Sequence, residues 1–252
     1  MGRRDCETDG MSSSDRPAPD LHAPDLHASA LHASDRPSSD LHGERVDYTA
    51  GHLLESAAPP EPYALFRRWL EDAFAARDAG TLAEPTAMVV ATIADGRPRA
   101  RTVLLKELRA DGFTFFTNYD SAKATELASA PAVALHFGWH AVQRQVRVEG
   151  TAEKVPREES QAYFATRPRG SQLGAWASAQ SSTVGSVADL EAAYADAEQR
   201  FAGRDVPCPD HWGGYLVRPV EIEFWQGRPS RMHDRLVYRQ HGDAWTITRL
   251  AP

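Results

Sequence analysis

Cysteine is almost absent. Cys6 and Cys208 are the only two in 252 residues, which excludes a disulfide framework and any site built on several thiolates. Long apolar runs are missing too. The longest, around Ala87–Ile93, is strand-sized and far short of the ~20 residues that span a bilayer. The N-terminus, MGRRDCETDG, carries no apolar stretch of the kind a secretory signal needs, so the cytoplasm is the expected location. Positive charge is in deficit: 28 Lys and Arg against 35 Asp and Glu leave a formal charge of −7. That argues against holding nucleic acid by bulk electrostatics. A small anion stays open, because a local cluster of Arg and Lys can oppose the global sign. Neither GxGxxG nor a P-loop string occurs, so neither a dinucleotide fold nor a phosphate-cradling P-loop is indicated. The spacing supports no Ser-His-Asp or Cys-His constellation, and Cys208, between prolines in VPCPD, reads as a loop residue.

Residues 1–43 lack aromatic residues altogether. From Asp15 they repeat with period five: DRPAP, DLHAP, DLHAS, ALHAS, DRPSS, DLHGE. Five matches neither helix nor strand, so the spaced leucines form no continuous apolar stripe. Such a segment cannot bury enough area to offset its ordering entropy and is expected to be a disordered tail. Its histidines His22, His27, His32 and His42 then belong to a solvated low-complexity stretch, and no metal site is expected.

Residues 44–252 read as one mixed domain. A helix fits Tyr63–Ala79, with Leu65, Phe66, Trp69, Leu70 and Phe74 on one side. Strands fit Thr86–Ala94, Arg99–Glu107 and Phe113–Asn118, separated by the Asp95-Gly96 and Asp111-Gly112 turns. Further helices fit Ala122–Ala130, Arg157–Thr166 and Val187–Phe201; further strands fit Ala132–Trp139, Gln143–Val155 and three C-terminal runs. The fold class is therefore mainly β (α+β), a closed or nearly closed antiparallel barrel with peripheral helices.

Three stretches carry candidate chemistry. In RMHDR, a strand would put Arg231, His233 and Arg235 on one face, either for an anion or as a charged edge that deters aggregation. In YFATRPRGS, Tyr163 and Arg167 are helical neighbours at i, i+4; Pro168 ends the helix, and Gly170 and Ser171 follow in a turn. A phenol, a guanidinium and a hydroxyl suit a phosphate, although an Arg at a helix C-terminus is also favoured by the dipole. In RTVLLK, Arg101 and Lys106 flank a buried barrel strand, or lie at its wet ends. Gln145 of QRQVRVEG could bond a heteroaromatic edge or a neighbouring strand. Cations, amides and aromatics together favour a phosphorylated aromatic anion, with an organic cofactor supplying redox chemistry.

Taken together, RTVLLK, FFTNYDSAK, FGWHAVQRQVRVEG, YFATRPRGSQLGAWASAQS, HWGGYLVRPVEIEFWQGRPSRMHDR and the terminal RLAP resemble the pyridoxamine 5′-phosphate oxidase family from about Arg45 to Pro252. The resemblance implies a split β-barrel homodimer with FMN at the subunit interface. It implies oxidation of pyridoxamine or pyridoxine 5′-phosphate to pyridoxal 5′-phosphate, by hydride transfer from substrate C4′ to FMN N5, with O2 reduced to H2O2. By the same resemblance Arg101, Lys106, Phe116, Thr117, Ser121, Lys123, Gln145, Gln180, Ser181, Trp225 and Arg235 match FMN contacts. Lys106, Tyr163, Arg167 and Ser171 match the substrate-phosphate residues, and Arg231 and His233 match catalytic residues over the substrate ring. Arg45 and Tyr48 match an N-terminal segment that can close over the site. Two positions depart from the family: Ala122 stands where an Arg is usual, and Phe116 where many members have Tyr. The alternatives are a non-catalytic module holding FMN or pyridoxal phosphate, and another flavin- or deazaflavin-dependent reductase on the same barrel.

Overall fold

The computed structural model describes residues 47–252; Arg45, the expected 1–43 tail and its boundary lie outside the described residues. Proline opens helix α1 (Pro62–Asp78), where its missing N–H leaves no bond unmade. The helix buries Leu65, Phe66 and Trp69, while Leu70 and Phe74 are half covered. Strands β1 (Ala87–Ala94) and β2 (Arg97–Leu104) form a hairpin through Asp95-Gly96, with φ of 52° and 71°, the left-handed pair whose twist matches flanking strands. Next come β3 (Glu107–Leu108), β4 (Phe113–Asn118), α2 (Ala122–Ser129), β5 (Ala132–Trp139) and β6 (Arg144–Lys154). Helices α3 (Arg157–Thr166), α4 (Arg169–Ala177) and α5 (Val187–Arg200) precede β7 (Trp212–Gln226), β8 (Asp234–His241) and β9 (Ala244–Arg249).

All strands pair antiparallel in one nine-stranded sheet, in the order β2-β1-β5-β6-β7-β4-β3, with β8 and β9 branching from β7. The branch follows from the length of β7. Its first half, Trp212–Val217, pairs with β4; its second half, Glu221–Gln226, pairs with β8. Between the halves the register against β6 shifts at Glu149/Gly150. Only glycine fits there, since a Cβ on Gly150 would sit 2.1 Å from the Arg218 carbonyl oxygen. Pro219, which has no N–H to give, occupies the same bend.

The inner faces of β1, β5, β6, β7 and β8 bury Val90, Leu135, Phe137, Val148, Phe224 and Tyr238 against Phe66 and Trp69 of α1. A smaller cluster, Phe164, Leu173, Phe201 and Trp212, seats α3, α4 and α5 on β7. Among the described residues no helix is long and apolar enough to cross a membrane, and no group of His, Cys, Asp and Glu could hold a metal.

Three expectations need correction. Arg231, His233 and Arg235 do not share a strand face: β8 begins only at Asp234, because Pro229 opens a 3-10 turn and Ser230 and Arg231 are left-handed at φ 56° and 61°. Gly170 and Ser171 are not in a turn but in the first turn of α4, since Pro168 both ends α3 and precedes a new helix. The third concerns only one of the two readings of RTVLLK: β2 is an edge strand with a largely exposed face, so the buried-strand reading falls and the wet-end reading stands, with Lys106 exposed beyond the end of β2.

Candidate active site

A cavity of about 800 Å³ is lined by residues of β2, β4, the start of α2, and α3 and α4. It brings together Arg101, Lys106, Phe116, Thr117, Lys123, Tyr163, Arg167, Ser171, Gln180 and Ser181, all named from sequence. Ser121, fully buried as the N-cap of α2, lies beneath it, with Oγ 3.3 Å from Lys123 Nζ. Ala122 borders this cavity and an adjoining one of about 840 Å³ that also holds Arg99 and Glu126.

Cations dominate. Lys123, only 8% exposed, donates from Nζ to Thr117 Oγ1 at 2.9 Å and to Gln180 Oε1 at 2.6 Å, both neutral acceptors. Burial first, and then the charge of Arg101, hold its pKa below the ordinary lysine value. Arg101 donates to Thr92 Oγ1 at 2.5 Å and to Glu126 Oε2 at 2.7 Å. Burial tends to raise the Glu126 pKa, but hydrogen bonds from Thr92 and Arg101 outweigh it and the carboxyl stays below its ordinary value. Among the described residues Arg101 alone of the cavity's four cations has a carboxylate partner; Lys106, Lys123 and Arg167 have none.

Aromatic rings hold Arg167. Phe116 and Tyr163 stack at 4.0 Å between centroids, and Phe116 and Trp212 at 5.4 Å with planes 10° apart. The Arg167 guanidinium lies 4.6 Å above Trp212. Its Nη1 is buried and has no hydrogen-bond partner. Burial draws the Arg167 pKa down, and a donor in that state is suited to receive an anion.

The remaining predicted residues lie elsewhere. Gly138, Gln145, Trp225 and Arg235 form one cross-strand row over β5, β6, β7 and β8. Arg235 is held by Glu223 at 2.6 Å and by the Ala251 carbonyl at 3.0 Å. His233 packs 4.5 Å from Trp225, and Tyr48 stands edge-on to both. His233 Nδ1 accepts the Arg228 N–H at 3.1 Å, which leaves Nε2 to carry the ring proton. Burial, then the charge of Arg231, lowers its pKa and so favours the neutral ring. None of Gln145, Trp225, Arg231, His233 or Arg235 lines the cavity of Lys123 and Arg167. Strain gathers at these places: of the five non-glycine residues with positive φ among the described residues, Asp95 makes the hairpin turn, while Gln143, Ser181, Ser230 and Arg231 lie in or beside the two sets. Sequence reasoning missed Trp212, Thr92, Glu126 and Gln143, whose roles arise from tertiary packing; only the aromatic density of HWGGY hinted at the first.

Residues 75–201 match the family model described as pyridoxamine 5′-phosphate oxidase, and residues 212–252 match that of the pyridoxine 5′-phosphate oxidase C-terminal dimerisation region. The pyridoxine/pyridoxamine 5′-phosphate oxidase of Rubrobacter xylanophilus is 55% identical over 214 residues, covering 84% of this chain and 97% of that protein. The protein of the same name from Pseudomonas paraeruginosa is 52% identical over 209 residues, 82% of this chain and 96% of the relative. Among solved structures, PhzG from Burkholderia lata 383, in complex with tetrahydrophenazine-1-carboxylic acid, is 29% identical with a TM-score of 0.74, covering 80% of this chain and 98% of that one. A pyridoxamine 5′-phosphate oxidase-related, FMN binding protein from Nostoc punctiforme shares the fold at 17% identity and a TM-score of 0.58, over 72% of this chain and 96% of its own.

Proposed function

The chain belongs to the pyridoxamine 5′-phosphate oxidase family, and from that premise we propose how its residues divide the work. It is an FMN-dependent oxidoreductase that turns pyridoxamine and pyridoxine 5′-phosphate into pyridoxal 5′-phosphate. The observation that carries the site assignment is the buried, unpartnered Nη1 of Arg167, a residue that lines one cavity together with Tyr163, Ser171 and three further cations.

FMN and the substrate each bring a phosphate, and the cavity's four cations would be shared between them. Lys123, with Thr117, Ser121, Gln180 and Ser181 beside the N-terminus of α2, would hold the FMN phosphate; the helix dipole adds to the charge of Lys123. Lys106, Tyr163, Arg167 and Ser171 would hold the substrate phosphate. The stacked Phe116, Tyr163 and Trp212 exclude water there, which strengthens each charged hydrogen bond. Bound FMN supplies the two-electron acceptor for the substrate and passes the electrons to O2.

The row Gln145–Trp225–Arg235, with Arg231, His233 and Tyr48, would complete the site from a second copy. Two facts support this: these residues stand outside their own chain's cavity, and residues 212–252 match a dimerisation region. His233, neutral with its proton on Nε2, offers a donor to the substrate ring, and Arg231 beside it supplies fixed positive charge.

The test is direct. The purified protein should be yellow, release FMN on denaturation and consume O2 when given pyridoxamine 5′-phosphate. A colourless protein that stays inactive after FMN is added would overturn the reading. Flavin binding without O2 uptake would leave only a binding module.

A further inference from the structure

We propose that Gln143 is the positioning residue that sets Tyr48 over the substrate, by clamping residues 47–50 to the β5–β6 turn. The inference rests on the reading that Tyr48 and His233 belong to the substrate site. Gln143 is left-handed, at φ 56° and ψ 40°, between the 3-10 turn His140–Val142 and β6. That conformation costs a non-glycine residue free energy, and glycine would adopt it freely. What glycine cannot supply is the side chain. Gln143 Oε1 accepts two backbone N–H groups, from Thr49 at 2.7 Å and from Ala50 at 2.9 Å.

The same residue grips the other side of the ring. Its main-chain oxygen accepts the Gly227 N–H at 2.8 Å and Gln226 Nε2 at 3.2 Å. Tyr48 lies on Gly227 so closely that a Cβ there would be 2.7 Å from the ring. Its edge then meets Trp225 at 5.8 Å and His233 at 5.6 Å between centroids. One side chain and one carbonyl therefore fix both the segment that carries Tyr48 and the surface on which its ring rests. Five residues on, the segment is pinned again, where the Leu53 N–H donates to Asp234 Oδ2 at 3.0 Å.

Three variants of the full-length, FMN-loaded protein test the clamp. Gln143→Gly keeps the left-handed turn and removes the acceptor. Gln143→Glu keeps the acceptor and is the rescue. Tyr48→Ala tests the site assignment on its own. The readouts are amide hydrogen exchange at Thr49 and Ala50, the split between KM and kcat, FMN content and Tm. Gln143→Gly should speed exchange at both amides roughly tenfold or more and raise KM roughly five- to tenfold, as expected for a lost net hydrogen bond or two. Its kcat, FMN content and Tm should hold, and Gln143→Glu, which keeps the acceptor but loses the 3.4 Å bond from Nε2 to the Asp47 carbonyl, should keep exchange at Thr49 and Ala50 slow and KM near the parent value. Unchanged exchange in Gln143→Gly overturns the clamp, as does a Gln143→Glu variant that behaves like glycine. Faster exchange with an unchanged KM, while Tyr48→Ala raises KM, overturns the link from clamp to substrate. If Tyr48→Ala leaves KM alone, the assignment of Tyr48 to the site is wrong and the proposal falls with it.

Discussion

Arg167→Met separates binding from stability at one residue. The substitution keeps an unbranched stem over Trp212 and Phe164, so the packing now made 4.6 Å and 5.4 Å from those rings largely survives. It removes a buried guanidinium whose Nη1 has no partner and whose charge is disfavoured by burial. Without ligand, that donor costs the fold on the order of 1 kcal/mol, so Tm should hold or rise by about 2–4 °C in a domain of this size. With substrate present the sign reverses. Losing a charge-assisted phosphate contact should cost about 1.5–3 kcal/mol, or roughly 10- to 150-fold in the substrate constant. Flavin content should not change, because Lys123 is held by Thr117 and Gln180 and shares no hydrogen bond with Arg167. Steady-state O2 uptake against pyridoxamine 5′-phosphate, with a thermal melt and a flavin absorbance reading on the same sample, measures all three. Loss of FMN with an intact substrate constant would show that the phosphate clamp was assigned to the wrong ligand. A fall of many degrees in Tm would show that Arg167 is structural.

Ala122 borders both cavities beside Lys123, so Ala122→Arg should hold FMN at least roughly several-fold tighter in a fluorescence-quenching titration of apo-protein. Equal affinity would mean that Arg99, whose Nε is 3.6 Å from Glu126 one turn along α2, already supplies the charge. Asp234 is lowered from its ordinary 3.8: burial opposes ionisation, but the Leu53 N–H, Arg228 and Arg249 outweigh it. Its stabilisation is therefore present above pH 3.8 and lost as pH falls through the lower folded value. Asp234→Asn should cost roughly 3 kcal/mol at pH 7 in urea unfolding, and the gap from the parent should close in strong acid; a gap independent of pH would refute the charge assignment. Deleting residues 1–43 should leave Tm and KM unchanged, because their composition cannot build a core. A lower Tm in that deletion would show that the tail docks on the domain.

The elements legible in the sequence were those set by local rules. The bounds of β4, β5 and α3 follow from alternation or from a 3.6-residue period between clear turn signals, and the structure keeps them. Pro168 was read as a stop, but proline is equally at home just before a helix, so α4 went unseen. The RMHDR reading failed because two consecutive left-handed residues, Ser230 and Arg231, leave no trace in a hydropathy pattern. Whether β2 is central or at an edge depends on which strands pair with it, and those lie far away in sequence. The cavity members came from motif resemblance, and the fold collects them. Trp212 and Gln143 were invisible for the opposite reason: one acts through a ring stack and the other through two amides, contacts that exist only once distant segments meet.

The Arg249 guanidinium donates to the Leu53 carbonyl at 2.7 Å and pairs with Glu55 and Asp234. Leu53 is translated 196 positions earlier. On the ribosome, then, the segment that carries Tyr48 emerges before α1 yet finds this anchor only after β9 has followed. The sheet can collapse around α1, and Gln143 and Asp234 can already hold the segment, before this last anchor is made. A product that stops before β9 would thus keep much of the core and lack this anchor on the segment that carries Tyr48. The last strand to be made thus supplies one of the anchors of a segment that precedes α1.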